Sequence, residues 1–254
     1  MFNRPQLSGW AMEHGFKGEI LHSSAYRDAA YFAGRTVVVV GACTSGMEIA
    51  YQLAIGGADK VRLAVRTPPN ILFREVNGVP GDLAAPLLFH LPTGVADRLI
   101  FAVQRRMIGD LSAYGLPSPT QGMMARQKAD GSGPAVVDPV VLEAIRSGAI
   151  QCVPAVTGLT PDGVVLADGS HLDADAVILA TGYQTGLADL VRGLGVLDDR
   201  ELPLDCTGGE AAAGLRFVGY VFRPGLTGYV GKIAKRVARE IAEQRARKPL
   251  ETKA

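Results

Sequence analysis

The residues of this sequence best suited to chemistry are the six from Gly41 to Gly46, which read Gly-Ala-Cys-Thr-Ser-Gly. They follow the β-branched run Thr36–Val40 and precede an apolar-periodic stretch that begins at Met47. A strand, a glycine turn and a helix in this order direct backbone N–H groups and the positive end of a helix dipole at an anion. The pattern therefore predicts a dinucleotide pyrophosphate site at the turn.

The turn departs from the G-x-G-x-x-G motif at one position. Gly41 and Gly46 fill the first and third positions, which serve the tight turn and the close packing of helix on strand. Cys43 stands at the second, where glycine lets a phosphate approach the backbone. We expect this cysteine to weaken cofactor binding by about 1–3 kcal/mol, the usual scale of misfit at a special backbone position. Because a thiol at a helix N-terminus should have a lowered pKa, a reactive Cys43 is a further hypothesis.

A second strand, Lys60–Val65, follows the helix, and Arg66 stands at its end. A carboxylate at this tip receives the ribose 2′-OH of NAD, whereas an arginine favours the 2′-phosphate of NADP. Arg66 therefore predicts NADP, and a solvated loop charge is the alternative. Thr181 and Gly182 follow a buried strand at 174–180, where glycine either lets the backbone approach a cofactor or forms a plain turn.

Composition indicates an ordinary globular protein. Hydrophobic residues make up 48% and charged residues 20%, and the net charge of +1 gives no support for a nucleic-acid partner. The three cysteines are widely spaced and form neither a CxxC pair nor a zinc motif, so we expect no metal and a reducing compartment. No apolar run approaches the roughly 18 residues that span a bilayer, which predicts a cytoplasmic protein without a membrane partner.

Hydrophobic periodicity predicts the remaining elements. Residues 16–26 are expected to be a surface connector, and His22 within them a structural residue rather than a catalytic one. One predicted helix carries Val95, Leu99, Val103 and Met107 at i+4 spacing. The predicted elements are a loop over 67–81, helices over 82–90, 95–111, 138–147 and about 229–245, and strands over 149–153, 155–159, 164–166, 174–180 and 215–220.

Several segments together resemble the flavin-containing monooxygenase family. The segment FKGEILHSSAY matches the fingerprint FxGxxxHxxxY/F, with Phe16, Gly18, His22 and Tyr26 in place. GACTSGMEIA is similar to the family's second glycine motif, and VRLAVRTPP to its 2′-phosphate segment. GDLSAYGLPSP, VVDPVVLEAIRSGAI and ADAVILATGY resemble the branch of indole-pyruvate monooxygenases.

The resemblance implies an α/β fold with a Rossmann-like, parallel-sheet NADPH-binding domain over residues 34–183, which includes a helical insertion. Residues 1–33 and 184–254 would be the remnant of a second, FAD-type Rossmann domain. The implied activity is that of an oxidoreductase, a monooxygenase that uses NADPH and FAD to oxygenate a small organic substrate with O2 through a C4a-peroxyflavin. The protein supplies binding and exclusion of water, and the flavin supplies the oxygen chemistry.

By the same resemblance, the NADPH pyrophosphate would be held at the turn and the 2′-phosphate at Arg66, while Thr181 and Gly182 would mark the domain junction. No catalytic side chain is assigned, because the flavin performs the chemistry. The cofactor-binding residues so implied are Gly41, Cys43, Thr44, Ser45, Gly46, Arg66, Thr181 and Gly182.

The family's first glycine motif, which binds FAD, is not found before Gly41. We therefore expect a truncated chain with an incomplete FAD site, and either a separate N-terminal FAD-binding chain or a homo-oligomer as partner. Two alternatives remain open. One is a non-catalytic NADP-binding or interaction module, and the other is a relative of the pyridine-nucleotide disulfide reductases, against which the absence of CxxC counts.

Overall fold

The structure is a computed structural model that describes residues 3–12, 15–76, 78–80, 90–221 and 226–247. The chain divides into two compact units, a first unit of residues 5–183 and a second unit that contains residues 184 onward. The strands in chain order are β1 (Arg4–Pro5), β2 (Glu19–His22), β3 (Thr36–Val40), β4 (Lys60–Val65), β5 (Ile71–Phe73), β6 (Glu75–Val76), β7 (Val79–Pro80), β8 (Ala135–Val137), β9 (Gln151–Pro154), β10 (Val156–Thr160), β11 (Gly163–Leu166), β12 (His171–Asp173), β13 (Ala176–Leu179), β14 (Tyr183–Gln184), β15 (Thr207–Ala212) and β16 (Leu215–Val218).

Six α-helices lie within the described residues, together with short 3₁₀ turns at Gly9–Met12, Ala30–Phe32 and Ser112–Tyr114. The helices are α1 (Thr44–Ile55), α2 (Thr93–Ile108), α3 (Met123–Asp130), α4 (Pro139–Arg146), α5 (Ala188–Val191) and α6 (Leu226–Arg247).

The first unit is built on a five-stranded parallel sheet in the order β2-β13-β3-β4-β9. Its central strands are continuous apolar runs, as expected of strands covered on both faces. Val37, Val38 and Val39 are fully buried. Helices α1 and α4 cover one face, and the antiparallel sheet β10-β11-β12 covers the other. The predicted α/β fold with a parallel sheet is confirmed.

Helices α2 and α3 pack against each other through Ala96, Ile100, Met123 and Met124. The start of α3 is stabilised by the carboxylate of Asp97, which accepts hydrogen bonds from the N–H groups of Met124 and Ala125, at 2.7 and 3.1 Å. The first N–H groups of a helix have no partner within the helix, so a carboxylate there acts as a cap. A residue of α2 thereby fixes where α3 begins.

The second unit contains the hairpin of β15 and β16, against which α6 packs. Ile233 and Val237 are buried on the inner face of α6, while Ile241, predicted on the same face, is 37% exposed. Arg216 on β16 forms an ion pair with Glu240 of α6 at 2.9 Å. The predicted C-terminal helix and the strand that precedes it are confirmed.

Two predictions about local structure are wrong, and one helix was missed. The predicted connector 16–26 contains β2, because its apolar residues pair with β13 at the edge of the main sheet. The predicted loop 67–81 contains β5, which pairs with β8. Helix α3 was not predicted. The predicted helix over 82–90 falls almost wholly on residues outside the described part of the chain.

Candidate cofactor site

Three strands of the parallel sheet end together at one edge. The register sets Val40 of β3 opposite Leu179 of β13 on one side and Ala64 of β4 on the other. The segments that begin at Gly41 and Thr181 therefore leave the sheet side by side, and Arg66 follows within two residues of Ala64. In open α/β sheets, ligands bind just outside the carboxyl ends of the strands. The sheet thus brings together the three segments in which the sequence predicted site residues.

Gly41 and Gly46 are both required by the geometry of the turn. Gly41 has a φ of +111°, and a Cβ built on it would lie 2.6 Å from the carbonyl oxygen of Ala180. A Cβ on Gly46 would lie 1.8 Å from the carbonyl oxygen of Gly41 itself. The first glycine therefore allows the chain to turn beside β13, and the other allows α1 to pack on that turn.

Cys43, at the defective position of the motif, has an ordinary extended backbone with φ −88° and ψ −178°. Such a conformation is open to any residue, so Cys43 occupies this position without backbone strain. Cys43 as a whole residue is exposed to solvent. Desolvation of the sulfur nevertheless raises the pKa of its thiol, although Arg126 and Arg66 act to lower it. The predicted lowering of this pKa by the helix end is therefore wrong.

Thr44 and Ser45, the first two residues of α1, play different parts. The Thr44 hydroxyl oxygen accepts a hydrogen bond from the N–H of Val136 at 2.9 Å, which ties β8 to the start of the helix. Ser45 is exposed beside it. Thr44 therefore holds the turn in place, and the Ser45 hydroxyl faces solvent at the helix end.

Two arginines act on the turn, and the sequence predicted only one of them. Arg66 is exposed after β4. Arg126 of α3 has a side chain that is only 18% exposed and donates a hydrogen bond to the carbonyl oxygen of Pro68 at 3.1 Å. Both guanidinium groups contribute to the electrostatics of the Cys43 thiol. Arg126 was missed because α3 was missed, although Gly122 and Gly131 bracket its helix in the sequence and mark its two ends.

His22 connects the fingerprint segment to the end of β13. Its Nδ1 accepts the N–H of Ser24 at 3.1 Å, and its Nε2 lies 3.0 Å from the carbonyl oxygen of Gly182. These partners assign the proton to Nε2. The same carbonyl accepts the N–H of Gln6 at 2.9 Å, and the Thr181 hydroxyl donates to the carbonyl oxygen of Gln6. The ring is 7% exposed, so its position supports a structural role.

The first unit has two further features that could bind a ligand, a cavity and a cluster of polar side chains. A cavity of about 450 Å³ lies between α2 and the segments 69–71 and 108–119, within the size range of small-molecule pockets. Asp162, His171 and Asp173 form an exposed cluster. Asp162 lies 3.4 Å from Nε2 of His171 and Asp173 lies 3.6 Å from Nδ1, and one potential ligand atom from each of the three residues lies within 4.8 Å of the others. All three residues are exposed, and exposed acidic groups of this kind are common without a metal ion.

Comparison with known proteins identifies the family. A family model described as flavin-binding monooxygenase-like matches residues 5–194, which include the whole sheet edge described above. The chain belongs to this flavin monooxygenase family. Its curated relatives include the indole-3-pyruvate monooxygenase YUCCA8 of Oryza sativa subsp. indica, 36% identical over 234 residues, which are 89% of this chain and 55% of that protein. The probable indole-3-pyruvate monooxygenase YUCCA9 of Arabidopsis thaliana is 36% identical over 184 residues, 72% of this chain and 43% of that protein.

Solved structures share the fold of this flavin monooxygenase family member. The flavin-containing monooxygenase from Stenotrophomonas maltophilia matches 95% of this chain and 59% of its own, with a TM-score of 0.58 and 21% identity. OTEMO in complex with FAD and NADP matches 96% of this chain and 60% of its own, with a TM-score of 0.61 and 16% identity. The chain spans about half the length of the curated relatives it matches. Within its described part, no helix is long and apolar enough to cross a membrane.

Proposed function

We propose that the sheet edge formed by β3, β4 and β13 binds NADPH. The observation that carries this proposal is the register that sets Gly41, Arg66 and Thr181 at one edge, in a chain of the flavin-binding monooxygenase-like family. The residues fit the cofactor, because both glycines that the turn requires are present and two guanidinium groups lie near the helix end. In open α/β sheets, the phosphates of a bound dinucleotide lie at this position, next to the N-terminus of the helix that follows the glycine turn.

Different residues at this site contact different parts of NADPH. Gly41 and Gly46 keep the turn tight, and the exposed Ser45 hydroxyl faces the pyrophosphate. Arg66, exposed after β4, binds the 2′-phosphate that separates NADPH from NADH. Arg126 is held against the segment after β4 by its hydrogen bond to Pro68, and its Nε lies 3.9 Å from Asp130, so it adds a guanidinium group at a defined position beside Arg66.

We further propose that the chain acts as part of an NADPH- and FAD-dependent monooxygenase of a small organic substrate and O2. When bound, NADPH supplies a hydride for reduction of the flavin, and the reduced flavin activates O2. The names of the two plant relatives support a 2-oxo acid with an aromatic side chain as the substrate class.

The sequence predicts that residues 34–183 form the NADPH-binding domain with its helical insertion, and that residues 1–33 and 184–254 belong to an FAD-type part. We propose the later of these two boundaries unchanged and an earlier position for the first. The change of compact unit after Tyr183 supports the later boundary. Because β2 pairs with β13, we place the earlier boundary ahead of Glu19 rather than at residue 33.

The test is the affinity of the chain for NADPH and for NADH, measured by equilibrium titration on the wild type and on single variants. We expect tighter binding of NADPH. Arg66→Gln and Arg126→Gln should each weaken NADPH binding by about tenfold, the effect of losing one charged hydrogen bond. Lys60→Gln is the matched control, since Lys60 is an exposed cation at the opposite end of β4. Equal affinity of the wild type for the two nucleotides would contradict the proposal.

A further inference from the structure

Helix α2 leaves an apolar stripe exposed on its outer side. Four residues at i+4 spacing lie on one face of a helix and form a continuous row. The neighbouring row, one residue further along the chain, is already occupied, since Ala96 and Ile100 are buried against α3. Among the described residues of the first unit, the packing therefore does not use the stripe. Its members are Val95, Leu99, Val103 and Met107, with exposed fractions of 45%, 49%, 56% and 39%.

The exposed surface of α2 is also strongly basic. Arg98, Arg105 and Arg106 are all exposed beside the stripe. The helix has one acidic residue, Asp97, and that carboxylate is 8% exposed and is used by the start of α3. Asp110 lies in the loop that follows the helix. Its hydrogen bonds to Ser112 lower the pKa of its carboxyl group, and the charge of Arg105 lowers it by a smaller amount. The exposed face of α2 therefore consists of an apolar row flanked by arginines.

This combination is typical of helices that lie in a membrane interface, with apolar side chains at the acyl boundary and cations at the headgroups. We propose that the exposed face of α2 binds the surface of an anionic lipid bilayer. Charge complementarity selects this occupant, because each arginine gains attraction to anionic headgroups. A second copy of the chain would instead bring two sets of three arginines together. The sequence predicted no membrane partner because it has no apolar run long enough to span a bilayer. That criterion does not apply to a helix that lies along the membrane surface.

The test is co-sedimentation of the full chain with vesicles of phosphatidylcholine alone and of phosphatidylcholine mixed with phosphatidylglycerol. We expect binding to the mixed vesicles only, weakened by salt. The combined variant Arg98→Gln, Arg105→Gln and Arg106→Gln should lower the partition coefficient by about a hundredfold. The combined variant Leu99→Gln and Val103→Gln should lower it by about tenfold or more, because the buried apolar area is lost.

Two controls keep the result interpretable. Leu204→Gln changes an apolar residue that is 68% exposed elsewhere in the chain, and it should bind vesicles like the wild type. Circular dichroism of the two α2 variants checks that helical content is retained. We expect no loss, because the five side chains substituted in α2 are exposed. The proposal is overturned if the wild type ignores anionic vesicles, if the charge variant binds them as well as the wild type, or if the stripe proves instead to drive self-association.

Discussion

Replacing Asp97 by alanine should destabilise the first unit by about 2–4 kcal/mol. The carboxylate is 8% exposed and accepts two backbone N–H groups at the start of α3. A hydrogen bond to a charged group contributes about 1.5–3 kcal/mol, and loss of a helix cap costs about 0.5–2 kcal/mol. The two hydrogen bonds belong to one cap and are not independent, so the loss of both costs less free energy of unfolding than the two separate losses added together.

The substitution Asp97→Asn distinguishes the contributions of the two hydrogen bonds to stability. An amide keeps one acceptor oxygen, which can still receive the shorter bond from Met124, while its NH₂ group faces the N–H of Ala125 as donor against donor. The expected cost is about half that of alanine, or about 1–2 kcal/mol. Asp59→Asn is the control, since Asp59 is an exposed aspartate of the same unit, and such a change stays within about 0.5 kcal/mol.

Urea unfolding measures these differences through the fluorescence of Trp10, the single tryptophan of the chain, which packs in the first unit. Asp97→Ala should also weaken NADPH binding, because α3 carries Arg126. In a double-mutant cycle, Arg126→Gln should then add little to the loss caused by Asp97→Ala. If Asp97→Ala unfolds at the urea concentration of the wild type, the cap does not stabilise α3 and the reasoning is refuted.

Three further predictions concern the glycine turn and the cysteines. Gly46→Ala should abolish nucleotide binding and cost about 3 kcal/mol or more, because the new Cβ meets the Gly41 backbone oxygen at 1.8 Å; titration and urea unfolding measure both effects. Cys43→Gly should tighten NADPH binding about tenfold in the same titration, by removing the side chain at the position meant for a phosphate. Burial raises the pKa of Cys152 to about 11, so its alkylation by iodoacetamide should be slow at neutral pH and accelerate up to that pH. Labelling of Cys152 at the rate of an unfolded thiol would contradict this last prediction.

The sequence predicted the nucleotide turn well because the signal is local. Strand, turn, helix and second strand follow one another from Thr36 to Val65, and each has a period or a glycine that marks it. Strand β2 was not predicted because four residues carry little pattern, and only pairing with β13, more than 150 positions away, makes them a strand. Parallel pairing of distant segments leaves no trace in local periodicity.

Helix α2 shows that a period can predict a helix without showing which of its faces is buried. The i+4 row from Val95 to Met107 predicted a helix, and the helix is there, but the row is exposed. A second apolar pair, Ala96 and Ile100, faces α3 instead. Between them the buried Asp97 runs against the rule that charges face water, and the N-terminus of α3 supplies the reason. Which apolar face enters the core is decided by a neighbour that the sequence did not reveal.

One carboxylate therefore connects the two proposals. By capping α3, Asp97 fixes the helix that carries Arg126 to the nucleotide turn. By being buried in that role, it also removes the one acidic side chain of α2 from the surface, which leaves Arg98, Arg105 and Arg106 unopposed on that helix. Had the acid stayed exposed, the face beside the apolar stripe would be less basic and α3 would lack its cap. The position of Arg126 near the turn and the strongly basic character of the exposed face of α2 both depend on this single buried contact.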